Sequence, residues 1–253
     1  MKMRTAAVVT LVGASFAGVW FCGGLGCGTG TSMAPGDVVA APGGSTLTGK
    51  ISFSGTAPKA TKIQMAADPV CIKNHPGDAF TESVVVNGNG TLKNVFVYIK
   101  SVPGTFAPPA APMTIDQKGC AYAPHVFGIQ TGQKLKILNS DGTLHNVHWL
   151  SKINPSQNLA MPKFVKEKET AFAKEEVMVK FQCEVHNWMN AWMGVLPHPF
   201  FAVSGAEGTY TIKDLPAGTY DVIAWHEKYG TQTMKVTVSG SDSKTADFAF
   251  KAS

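Results

Sequence analysis

Arginine is almost missing from this chain: Arg4 is the only one in 253 residues, and the lysines that supply the other cations are scattered without a basic run. Without guanidinium forks or clustered positive charge, the chain has no nucleic-acid surface to offer. Charged residues of both signs amount to only 15%, and no long stretch repeats its apolar residues at the helical period. A helical bundle is therefore excluded. What is abundant is turn chemistry, with Gly 26 and Pro 15, which suits an all-β architecture. The length fits one large domain or two small ones, and the change of pattern along the chain favours two.

The N-terminus sets the compartment. Lys2 and Arg4 precede an uncharged apolar run from Thr5 to Phe21, closed by Gly23-Gly24-Leu25-Gly26-Cys27. Residues 1–26 are expected to be an export signal, with a transmembrane anchor as the alternative by length. The Leu-Gly-Cys ending resembles the lipobox of bacterial lipoproteins, although Leu25 stands one place closer to the cysteine than is usual. Acylation of Cys27, with membrane attachment through it, and simple cleavage both stay open. The formal charge of +5 falls to +3 once Lys2 and Arg4 leave with a segment that holds no acidic residue. Residues 27–45, mostly Gly, Pro, Ala and Ser, read as a flexible linker. The protein is expected in the periplasm or at the cell surface.

Cys22 and Cys27 belong to the export segment, leaving Cys71, Cys120 and Cys183. An odd number in an oxidising compartment needs explaining. Cys71 and Cys120 can pair as a disulfide, which leaves Cys183 either as a thiol protected by a metal or as a buried, inert cysteine.

Strands are expected at Leu47 to Phe53, Glu82 to Val86, Leu92 to Lys100, Met113 to Ile115, His125 to Ile129, Lys134 to Asn139 and Glu176 to Cys183, with Ser151 to Lys174 a long loop. After Phe200 come the hairpin strands around Gly208-Thr-Tyr-Thr-Ile and Leu215-Pro-Ala-Gly-Thr-Tyr-Asp-Val, then Gln232 to Val238 and Lys244 to Phe250. This C-terminal block resembles the carboxypeptidase regulatory-like, or transthyretin-like, β-sandwich. The resemblance implies opening strands like Gly49 to Gly55 and Asn94 to Lys100, which stand far upstream. The expected organisation is a discontinuous sandwich built from 46–113 and 200–253 and interrupted by a second module at 114–199.

That module carries the chemistry. Cys183-Glu184-Val185-His186-Asn187-Trp188-Met189 puts a thiolate, an imidazole and a thioether on one short loop after a strand, a donor set suited to copper. A second imidazole is available upstream in His145-Asn146-Val147-His148-Trp149. Alternation selects His145, which shares a strand face with Val147 and Trp149, whereas His148 lies opposite. By the same test Val177, Val179, Phe181 and Cys183 share a face. His125, His198 and His226 have no second donor at metal spacing and read as structural or surface residues.

With both halves in order, residues 130–195 resemble a cupredoxin, most closely the amicyanin and plastocyanin group. The resemblance implies a Greek-key β-sandwich with one type I (blue) copper, His145, Cys183 and His186 as equatorial ligands and Met189 as the axial one, with Met193 as its rival. Asn146 would brace the thiolate by hydrogen bonding. Asn187 departs from the family, standing where proline is common after the loop histidine, and Glu184 adds a negative charge nearby. The implied role is one-electron transfer to a redox protein such as a c-type cytochrome, docking where His186 reaches the surface among Trp188, Trp192 and Pro197. A copper oxidase or reductase is disfavoured, because a paired Cys-x-x-x-Cys and further histidine-rich sites are absent; the chain is expected not to be an enzyme. Alternatives are a non-redox scaffold with a vestigial copper module, or copper delivery and storage from an exposed site.

Overall fold

The computed structural model describes residues 43–66, 68–75 and 77–252. The export signal, Cys27 and most of the linker lie outside the described residues. In chain order the elements are β1 (Ser45–Ser54), α1 (Pro69–Asn74), β2 (Phe96–Ile99), β3 (Met113–Gln117), β4 (Tyr122–Ala123), β5 (Val126–Gln130) and β6 (Lys134–Asn139). They continue with β7 (His145–Leu150), β8 (Gln157–Met161), β9 (Glu167–Ala171), β10 (Glu176–Gln182) and β11 (Asn190–Leu196). The last are β12 (Phe201–Val203), β13 (Thr209–Leu215), β14 (Gly218–His226), β15 (Gly230–Val238), β16 (Ser243–Thr245) and β17 (Phe248–Lys251). The protein is all-β. Among the described residues no helix is long and apolar enough to cross a membrane.

Two pairs of sheets bury two cores. The first pair, ordered β5-β11-β10-β7-β8 and β4-β3-β6-β9, closes on Ile115, Phe127, Ile137, Val147, Trp149, Phe172 and Phe181. The second, β13-β1-β16 with β17 beside β1, and β12-β2-β14-β15, closes on Leu47, Ile51, Val97, Ile99, Tyr210, Val222 and Phe250. β1 and β2 thus pack with the C-terminal strands, on either side of the first sandwich in sequence.

The structure corrects several boundaries. Ser45 is already buried in β1 and is not linker. Within 46–113, Met65, Cys71 and Ala79 join the core of the first sandwich and not the second, because the Cys71–Cys120 disulfide ties their segment there. Glu82 to Val86 forms only an isolated bridge, Val86 to Leu92. The expected loop from Ser151 to Lys174 contains β8 and β9. Both are edge strands, and β9, with its Glu-Lys-Glu-Thr-Ala sequence, carries the charge that edges favour in place of apolar alternation. The turn before β8 is pinned by the buried carboxylate of Glu176, which accepts from the Ser151 hydroxyl and, at 2.6 Å, from the Lys152 amide.

The sandwiches meet over the back of the sheet that contains β10 and β11. Phe96 of β2 is fully buried on Gly128 and Gly194 of β5 and β11; a Cβ on Gly194 would lie 2.4 Å from its ring. Glycine is required at both positions so that a flat ring can approach the backbone. Beside it, Glu227 after β14 accepts from His125 and from the Trp192 indole, each at 2.7 Å, and Trp192 packs on Trp225 with centroids 5.2 Å apart. At the same place Met178 takes φ 61° and the β10 register shifts, which turns Val177 and Met178 toward the interface and breaks the alternation expected of Val177. Gly194→Ala is expected to lose about 1–3 kcal/mol by overpacking this contact, measured by denaturant unfolding of the full chain. An unchanged midpoint would show that the interface is looser than described.

Candidate metal centre

Three strand ends build the site. β7 begins at His145, β10 delivers Cys183 just past its last residue, and the connection to β11 carries His186 and Met189. That connection is closed at its base by the Cys183 amide donating to the Met189 carbonyl at 3.2 Å, and inside by the Met189 amide donating to the His186 carbonyl at 2.9 Å. His145, Cys183, His186 and Met189 are 0, 2, 3 and 1% exposed. Met189 stands directly across from Cys183, whereas Met193 pairs with Val179 in the ladder. Met193 is therefore four residues, roughly 13 Å, farther along the strand.

Asn146 organises the loop. Its Oδ1 accepts from the Glu184 amide at 2.7 Å and the Val185 amide at 3.2 Å, and lies 3.3 Å from Cys183 Sγ. Its own Nδ2 donates to Asn158 Oδ1 at 2.7 Å, and the Tyr122 hydroxyl donates to its carbonyl. The His186 amide points at Cys183 Sγ from 3.3 Å. Donors directed at a sulfur favour its thiolate. Burial opposes ionisation of Cys183, but hydrogen bonds from His145 and from amides of the loop outweigh it and hold the thiol below its ordinary value.

The two imidazoles face each other, Nδ1 to Nδ1, at 2.9 Å, and one nitrogen of each together with Cys183 Sγ lies within 4.8 Å of the others. Each ring has its far nitrogen on a carboxylate: His145 Nε2 to Asp141 Oδ2 at 2.9 Å, and His186 Nε2 to Asp68 Oδ2 at 3.1 Å. An ionised carboxylate only accepts, so Nε2 carries the hydrogen in both rings. Both carboxylates are held below their ordinary range: burial opposes this, and hydrogen bonds overcome it, first from Thr143 to Asp68 and from His145 to Asp141. Burial likewise disfavours charging His145, yet Asp141 and the thiolate raise it to about 9, while burial holds His186 below its ordinary value. Two lone pairs cannot rest 2.9 Å apart, so the space between them calls for a proton or a metal ion. Two imidazole nitrogens, a thiolate and a buried thioether are donors that copper accepts in both its oxidation states.

Among the described residues every grouping of metal-binding side chains includes His145 or His186. The other groupings involve Cys71 and Cys120, which are joined as a disulfide, so their sulfurs are not thiolate donors. The expected surface position of His186 is not found. The segment of α1 covers the ring, with Asp68 on Nε2 and Cys71 Sγ 3.6 Å from the same atom. Nor do Trp188 and Trp192 form a free docking face, since their indoles donate to the Cys120 carbonyl and to Glu227. Glu184 turns to His148 at 2.6 Å on the exposed rim. His125, His198 and His226 are buried and belong to none of the groupings of metal-binding side chains among the described residues. Asp141 and Asp68 escaped the sequence reading. Asp141 had a local signal, four residues before His145 in a turn; Asp68, 118 residues from His186, had none.

Residues 198–251 match the family described as the carboxypeptidase regulatory-like domain. None of the curated proteins matches the chain. Among solved structures, an amicyanin variant in its Cu(I) form is 18% identical, with 39% of this chain and 97% of that one covered and a TM-score of 0.30. A copper-containing nitrite reductase (NirK) from Thermus scotoductus SA-01 is 20% identical over 38% of this chain and 24% of its own, with a TM-score of 0.30.

Asn146→Ala is expected to free the Glu184 and Val185 amides and to destabilise the fold by about 1–3 kcal/mol through lost buried hydrogen bonds. Hydrogen exchange at those two amides checks it, and unchanged protection would remove Asn146 from this role.

Proposed function

We propose that this chain is an exported one-electron carrier holding a single type I copper at His145, Cys183 and His186, with Met189 as axial ligand. The observation that carries the reading is the pair of Nδ1 atoms 2.9 Å apart, beside a thiol held below its ordinary pKa. When bound, copper supplies a reversible one-electron couple. The chain's own residues keep the donors in place: Asn146 and the loop amides fix the sulfur, and the sheet on β7, β10 and β11 fixes the spacing of the imidazoles. Small rearrangement on electron gain or loss follows from such a rigid, water-excluding setting.

Burial of the donors favours a retained cofactor over a delivery or storage site, which would need exchangeable metal. Confinement of the donor groupings to one place among the described residues favours a carrier over a multicopper enzyme. Leu144 and Val185, next to His145 and between the loop ligands, are 45 and 47% exposed, and they offer apolar surface at which a redox partner such as a c-type cytochrome could approach. The regulatory-like sandwich serves as the support on which this centre is mounted.

Copper titration of the full chain tests the reading. One equivalent should give an intense visible thiolate-to-copper band and narrow copper hyperfine splitting in paramagnetic resonance. Cys183→Ala should abolish both, Met189→Leu should alter the resonance parameters, and Met193→Leu should leave them unchanged. A colourless protein, or a band that survives in Cys183→Ala, rejects the carrier and leaves a scaffold.

A further inference from the structure

The carboxylates behind the two imidazoles are built features. Asp141, its side chain 2% exposed, accepts from the Gly119 amide at 2.9 Å, the Cys120 amide at 2.8 Å and Asn74 Nδ2 at 2.9 Å as well as from His145. Asp68 is the N-cap of α1, accepting from the Val70 amide at 2.8 Å and from the Thr143 hydroxyl at 2.9 Å while it holds His186. No lysine or arginine forms an ion pair with either group among the described residues. The segment that carries Asp68 to His186 is bound to the sandwich by the Cys71–Cys120 disulfide, by Asn74 on Asp141 and by Thr143 on Asp68 itself.

Two consequences follow from elementary electrostatics. A carboxylate on Nε2–H fixes the tautomer and makes the opposite nitrogen a stronger donor. Counting the thiolate, three negative groups then surround the space between the Nδ1 atoms, and the one lysine at hand among the described residues, Lys166, reaches the Asp141 carbonyl at 3.3 Å and not its carboxylate; the net field favours a doubly over a singly charged ion. We propose that Asp68 and Asp141 are positioning residues of the centre: each holds one imidazole with Nδ1 toward Cys183, and together their charges bias the bound copper toward Cu(II). This rests on the copper reading given above. It makes the redox poise of the site depend on α1, a helix that belongs to neither pair of sheets.

The decisive variant is Asp68→Asn, because asparagine caps a helix as well as aspartate does and keeps Oδ1 for the Val70 amide, while its Nδ2 replaces the charged oxygen that takes Thr143 and His186. Asp141→Asn is its counterpart, and Asp68→Glu is the conservative control. Cu(II) and Cu(I) affinities are measured on the full chain by competition with chelators of known affinity, together with the midpoint potential. Each Asn variant is expected to lower the ratio of Cu(II) to Cu(I) affinity about tenfold, the low end for loss of an outer-sphere partner, which for one electron is a rise of about 59 mV. Asp68→Glu should recover most of the ratio. An unchanged ratio in folded variants that still show the thiolate band overturns the proposal and leaves the carrier reading intact. A wild-type protein with no such band removes both. Should Asp141→Asn fail to fold, Asp68→Asn decides by the same criterion.

Discussion

Two imidazole nitrogens 2.9 Å apart, which can share only a proton or a metal ion once both Nε2 hydrogens are committed to carboxylates, are the constraint around which this protein is organised. With neither a proton nor a metal between them, the two lone pairs would repel. The contact persists because each ring is held from behind and because a buried sulfur faces the same space. The carboxylates, the Asn146 clamp and the amides aimed at Cys183 form one connected polar network in an otherwise apolar core. Buried networks of this kind stabilise only when every member is satisfied, and what completes this one is a cation between the nitrogens.

The rest of the molecule gives that network a rigid frame. The strands that bring the ligands belong to a five-stranded sheet whose inner face is the first core and whose outer face, around β5, β10 and β11, is pressed by the second sandwich. Phe96 packed on Gly128 and Gly194, and Glu227 bridging His125 and Trp192, make that contact close and polar-satisfied. On the other side, the segment between β1 and β2 folds over His186 and is held by a disulfide. The centre is thus closed from solvent by parts of the chain that are remote in sequence from its ligands.

How much of this the sequence discloses depends on the range of the forces involved. Strand alternation places His145 with Val147 and Trp149, and Cys183 with Phe181, and all of these side chains are buried. The all-β character follows from turn chemistry and from the lack of helical period. Alternation fails where tertiary contacts take over. Val177 leaves its expected face at a bulge made for the second sandwich, and β9 hides because an edge strand of charged residues carries no apolar signal. The cover over His186 was invisible for a different reason: it depends on pairings of Asp68 with His186 and of Cys71 with Cys120 across long stretches of chain. No local pattern records such pairings, so a histidine expected at the surface is found buried.

X-ray absorption at the copper edge of the loaded full chain decides whether Cys183, His145 and His186 form one metal cavity. The expected first coordination sphere is one short sulfur and two imidazole nitrogens, little changed on reduction. A sphere of nitrogen and oxygen without sulfur, or one that is rebuilt when the metal is reduced, would contradict it.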